Sequence, residues 1–258
     1  MDAYLAIFKT SFRNSFVYRS SVFVSIFGSV FAVFVQIAIW NIIFREKPAT
    51  IQYMTIYVII SRLLQIFYTD NICGNIGQKV RDGNFVTDLL KPIQPIFSFW
   101  SSSFGANIAT FLTQGLPILI MFFPALLNLD FDVTKLLIFI GICIMNLCLT
   151  SFIYILLGYL AFVVIEVWPF QLILNEIIKL LSGALIPIAF FPLWLENAVK
   201  FTPFYLLYSF PLRFLLEKLP PNEIYSNLII LLFWMLFFSV ILMIIHRIAL
   251  RRCVVQGG

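Results

Sequence analysis

Between two long apolar runs, Gly74–Pro95 reads GNIGQKVRDGNFVTDLLKPIQP and gathers Lys79, Arg81, Asp82, Asp88 and Lys91. The chain has few charges elsewhere. Mixed charges at this density suit ion pairing and contact with a soluble protein rather than bond-making chemistry. Asn84 or Thr87 is placed to cap a short helical turn through Asp88, Leu89 and Leu90. Lys91-Pro92 ends it, because the residue before proline avoids the helical region. Such a helix offers Val80, Phe85, Val86, Leu89 and Leu90 to a groove on a partner, with Arg81, Asp82 and Gly83 at its approach. A plain solvated loop fits the same residues.

Three further charges, Arg62, Glu176 and Lys179, fall inside apolar runs. Each costs about 2.5–3.5 kcal/mol at the centre of a bilayer, so each must face protein or water. Glu176 and Lys179 are spaced i,i+3 and can meet on one helix face. Arg62 and Glu176 lie at similar depths on different runs and can pair. The three either line a conduit or only fix packing, and spacing alone leaves both open. Patterns for catalysis are missing: there is no GxxxxGK[ST], HExxH or GxSxG. The chain is therefore not expected to be an enzyme, to hydrolyse nucleotide itself, or to hold a metal or cofactor. His246, the single histidine, reads as interfacial. Cys73, Cys143, Cys148 and Cys253 have no metal-site spacing and read as small apolar fillers.

The elements that must position these residues follow from composition. Of 258 residues, 62% are hydrophobic and 11% charged, against about 25% charged in a soluble domain. The class is all-α integral membrane, one domain over 1–258, with the lipid bilayer as solvent. Six runs suit crossing helices: Ser21–Phe44, Tyr53–Ile72, Phe97–Phe123, Leu136–Ile165, Trp168–Phe191 and Ile224–Ile245. Upstream, Leu5, Phe8, Phe12 and Phe16 share a helical period, with Lys9 and Arg13 on another face, which predicts an interfacial amphipathic helix.

An even number of crossings puts both termini on one side. That side holds Lys9, Arg13, Arg19, Lys79, Arg81, Lys91, Arg247, Arg251 and Arg252. The other holds Arg45, Lys47, Lys135, Lys200, Arg213 and Lys218. The majority of cations favours cytoplasmic termini and a cytoplasmic 74–95 segment. The net charge of +5 is read as this topology signal and not as affinity for nucleic acid. The outer connection Pro192–Glu223 is aromatic and carries Pro203, Pro211, Pro220 and Pro221. It predicts short helices that re-enter the outer interface without crossing.

Val80-Arg81-Asp82-Gly83 followed by Asp88-Leu89-Leu90-Lys91-Pro92 resembles the loop signature of bacterial ABC-2 type transporter permeases, the six-span group once catalogued as a domain of unknown function. A second block, Ser182-Gly183-Ala184-Leu185-Ile186-Pro187 with Phe191-Pro192 and Thr202-Pro203-Phe204, resembles the pattern around that family's fifth span. The resemblance runs over essentially the whole chain. It implies a permease subunit of an ATP-driven exporter in a bacterial inner membrane. It also implies a second permease subunit, identical or related, and two cytoplasmic ABC ATPase subunits bound at a coupling helix between spans two and three. ATP and export come from the resemblance alone. An ion-gradient-driven secondary transporter and a non-transporting membrane scaffold are the alternative readings.

Overall fold

A computed structural model describes residues 2–17, 19–68, 71–127 and 132–255. Among them every regular element is helical. The chain opens with α1 (Asp2–Asn14), α2 (Arg19–Ile43), α3 (Pro48–Phe67), α4 (Ile72–Arg81), α5 (Phe85–Leu89) and α6 (Pro95–Thr110). It continues with α7 (Leu116–Met121), α8 (Phe123–Leu126), α9 (Val133–Tyr159), α10 (Trp168–Leu181), α11 (Leu193–Lys200), α12 (Pro203–Leu207), α13 (Ser209–Leu216) and α14 (Pro221–Val255). Among the described residues, five stretches are long and apolar enough to cross a bilayer: 20–43, 48–81 (α3 and α4 in succession), 95–121, 133–162 and 221–249. They match five of the six expected runs, because an apolar run of this length buries all its backbone polar groups only as a helix.

The expected span Trp168–Phe191 takes a different form. Helix persists only over Trp168–Leu181, about 21 Å at 1.5 Å per residue against a hydrocarbon core of about 30 Å. Gly183 then takes φ +82, a conformation that costs any residue with a Cβ. A Cβ there would also collide with the Ser209 hydroxyl. Four of the carbonyls at the break, those of residues 182–185, are caught by side chains or backbone of other elements. Tyr57 donates to Gly183 O at 2.5 Å, Ser61 to Ala184 O at 2.7 Å and Gln36 to Leu185 O at 3.1 Å. Ser209 donates to Ser182 O from both its backbone N–H, at 3.0 Å, and its hydroxyl, at 2.6 Å. Non-helical backbone inside an apolar bundle persists only with such partners.

Contacts give the chain its direction. α10 begins beside α4, where Val167 lies against Gly77. Beyond the break, Phe190 stacks on Trp40, near the end of α2, with ring centres 5.7 Å apart. α12 and α13 then pack into the bundle. Asn146 of α9 donates to Leu206 O at 2.7 Å, and Tyr208 lies edge-on to Tyr68 at 5.4 Å. The chain returns to the start of α3, where Tyr53 donates to Glu217 at 2.9 Å. Arg213 holds this end together through Glu217 (3.0 Å), Glu223 (2.5 Å) and Tyr205 (3.0 Å).

The N-terminal helix forms and packs along the first half of α6. Ser11 and Ser102 hydroxyls meet at 2.8 Å, and Tyr4 Oη accepts from the Gln94 N–H at 3.0 Å. Gly105 permits the approach, since a Cβ there would press on the Phe8 backbone. The face turned inward is Tyr4, Ile7, Phe8, Ser11 and Phe12, whereas Leu5 and Phe16, expected on the apolar face, are exposed.

Candidate functional site

Two polar places stand out from an apolar bundle. The first is the elbow that α4 and α5 form. α3 alone is about 30 Å long, enough to cross a bilayer core, so α4 and α5 lie beyond its end. Two glycines let α4 pack closely: at Gly158 of α9 a Cβ would meet Ile76 at 3.0 Å, and Gly77 gives the same room to Val167. Gly83, at φ +72, turns the chain between α4 and α5.

Phe85 is the anchor of the elbow. It is 1% exposed and stands among Phe99 (6.2 Å), Tyr159 (6.2 Å) and Phe162 (5.2 Å). Asp88 is the clamp. Its two carboxylate oxygens accept from Lys79 at 2.5 Å and Lys91 at 2.6 Å, tying α4 to the chain after α5. Burial pushes the Asp88 carboxyl up, but the hydrogen bonds and charges of the two lysines outweigh it, and the group titrates below the usual carboxylate range. Lys79 also lies 4.9 Å from the centre of the Phe99 ring. Arg81 pairs with Glu166 at 2.6 Å, fastening the elbow to the segment before α10.

The expected contact residues therefore divide into two sets. Phe85 and Asp88 face inward, and Val80 and Leu89 are half-buried. Asp82, Gly83, Val86 and Leu90 face outward, Leu90 at 81% exposure. A groove of about 380 Å³ runs beside the clamp, lined by residues of α1, α4 and α6 together with Asp82, Asn84 and Lys91. Sequence periodicity does not distinguish these sets, because what buries Phe85 is supplied by α6 and α9.

The second place is a cavity of about 230 Å³ between α3, α10, α6–α7 and the turn at Tyr208. Arg62 and Lys179 both line it, as do Asn71, Gln114 and Asn175. Arg62 donates to Gln65 at 3.4 Å and to the Ser29 hydroxyl at 3.5 Å, and its buried Nε has no partner. Glu176 is not part of this lining. It is 59% exposed and pairs with Lys179 at 2.6 Å, so the expected i,i+3 contact forms. No Arg62–Glu176 ion pair is found among the described residues; Glu176 lies outside the lining that Arg62 shares and is taken by Lys179.

Gln114 is a site residue that the sequence reading missed. It lies in a π-helical turn, Phe111–Gly115, between α6 and α7. Pro117 supplies the reason: it has no N–H to give to Thr113, and its ring crowds that carbonyl, so the helix widens by one residue. Pro117 inside an apolar run was the available signal. Ser29 donates to Gln114 Oε1 at 2.8 Å.

Apolar helices of crossing length, enclosing a polar cavity and ending in a braced elbow, define a multi-pass membrane protein. The chain belongs to the ABC-2 family of transporter proteins, whose family model matches residues 30–257. No curated protein matches it. Membership makes it a membrane transport component of a family that is generally not itself catalytic and generally works with ATPase subunits.

Proposed function

We propose that this chain is the permease subunit of an ATP-driven exporter, and that the α4–α5 elbow is where a separate ATPase drives it. One observation carries the reading. The elbow is rigidly braced from within by Phe85 and the Lys79–Asp88–Lys91 clamp, yet it presents Asp82, Val86 and Leu90 outward. A lever needs both properties: a surface to be pushed and a stiff connection to the helices it moves. Arg81–Glu166 extends that connection to α10, and Phe85–Tyr159 extends it to α9.

In this reading the polypeptide crosses the membrane six times. The fifth crossing is α10 plus the broken, turn-containing stretch to Phe190, and α11–α13 re-enter from the outer side. α1 lies at the inner interface, both termini are cytoplasmic, and the membrane is a bacterial inner membrane. Two ATPase subunits bind below, and a second permease, identical or related, packs alongside. The exposed aromatic flanks of α2 (Phe23, Phe27, Phe31) and of α14 (Phe233, Phe237) face lipid or that second permease.

The test is affinity purification of the tagged chain from native membranes, with ATP hydrolysis of the eluate as readout. Wild type should bring down an ATP-hydrolysing subunit. Leu90→Asp, a change at an exposed site, should lose most of that activity at unchanged yield and helix content. A wild-type eluate without ATPase activity, or a Leu90→Asp eluate equal to wild type, contradicts the proposal.

A further inference from the structure

We infer that the cavity around Arg62 is an anion site, built to take a phosphate or carboxylate group presented either as a lipid headgroup or as a free anion. Its lining sets two cations, Arg62 and Lys179, among amides and tyrosine hydroxyls. Ser29 occupies Gln114 Oε1 and Tyr154 occupies Asn175 Oδ1, so each amide keeps its NH₂ end for another partner. Arg62 brings a guanidinium whose two protein contacts are long, 3.4 and 3.5 Å, and whose buried Nε has none. Lys179 adds a second cation, balanced from outside by Glu176. No described carboxylate lines the cavity. A buried guanidinium is costly without an anion and strongly hydrogen-bonded with one. A cation would meet the two like charges of Arg62 and Lys179, with no described carboxylate to offset them.

Depth fits the same chemistry. Arg62 lies about 21 Å along α3 from Pro48, and Asn71 lies past the end of α3. The cavity thus reaches from the last third of the apolar layer to its edge on the elbow side, where headgroups of that leaflet lie. Tyr208, at the turn between α12 and α13, lines its inner wall. Calling the anion cargo rests on the permease reading, whereas its binding does not.

The test uses the full chain alone, purified in neutral detergent without any ATPase. Binding of dioleoylphosphatidylglycerol, dioleoylphosphatidylcholine and inorganic phosphate is measured for wild type, Arg62→Gln and Asn175→Asp. Asn175→Asp is nearly isosteric, keeps the acceptor for Tyr154 and supplies Arg62 with an internal anion, so it blocks the site without emptying it. Wild type should prefer phosphatidylglycerol over phosphatidylcholine or bind phosphate, and both variants should bind at least about tenfold more weakly, as expected when a charge-assisted hydrogen bond is lost. Loss for phosphatidylglycerol alone assigns a lipid headgroup, and the same loss for phosphate assigns a free anion. Equal binding by wild type and both variants overturns the inference, as does no binding of either anionic probe.

Discussion

Asp88 shows how far a single residue can be read before its neighbours are known. Its charge and its place before Leu89-Leu90-Lys91-Pro92 mark it as part of a contact region, and an outward face is the natural expectation. In the structure it is buried and holds Lys79 and Lys91. Its effect on a partner would thus be indirect, through the shape of the elbow. Asp88→Asn leaves two lysines without their anion and should lower stability by about 1.5–3 kcal/mol, the range for hydrogen bonds to charged groups, read as the unfolding midpoint in detergent. The clamp also sets a pH window. Asp88 titrates lower in the folded chain than in the unfolded one. Its contribution is therefore complete above the unfolded value, about 3.9, and is lost as pH falls through the folded one. Wild type and Asp88→Asn should differ in unfolding temperature at pH 6, and the difference should shrink as pH falls below about 3.9; a difference that stays constant under progressively stronger acid would remove the clamp from the account. Arg62 and Lys179 were legible as groups that lipid cannot face. That they share a cavity, and that Glu176 does not line it, depends on helix rotation, which an apolar run does not encode.

At the scale of elements, apolar runs announce themselves because a bilayer core tolerates little else, and five of them are helices of crossing length. The break after α10 was not legible in the same way. Hydropathy treats 182–190 as more of the same apolar run, yet its carbonyls are satisfied by Tyr57, Ser61, Gln36 and Ser209, which lie on three other elements. Gly183 and Pro187 are legible as residues; the partners that make a full break tolerable are not. The π-helical turn beside Pro117 has the same character. The break makes a direct prediction. Gly183→Ala forces a Cβ into the positive-φ region and against Ser209, and should cost about 1–3 kcal/mol, measured by thermal unfolding of the purified chain. A midpoint equal to wild type would mean that the break relaxes freely and does not brace α10 against α3 and α13.

At the scale of the molecule, the end built from α4, α5 and the start of α10 is a braced lever, and the opposite end is closed by the Arg213 network. The polar cavity lies between them, reached from both by short connections: Arg62 on the helix leading to the elbow, Tyr208 on the segment folded in from the far end. An account in which an ATPase moves the elbow and the bundle responds requires one contact above all others. Site-specific photo-crosslinking in cells tests it most directly, with a photoreactive benzophenone side chain placed at Leu90, and at Asn222 as the opposite-end control. The account predicts an adduct from position 90 containing a nucleotide-binding ATPase subunit, and none from position 222. An inserted chain that yields no ATPase adduct from position 90, or yields one from position 222, would contradict it.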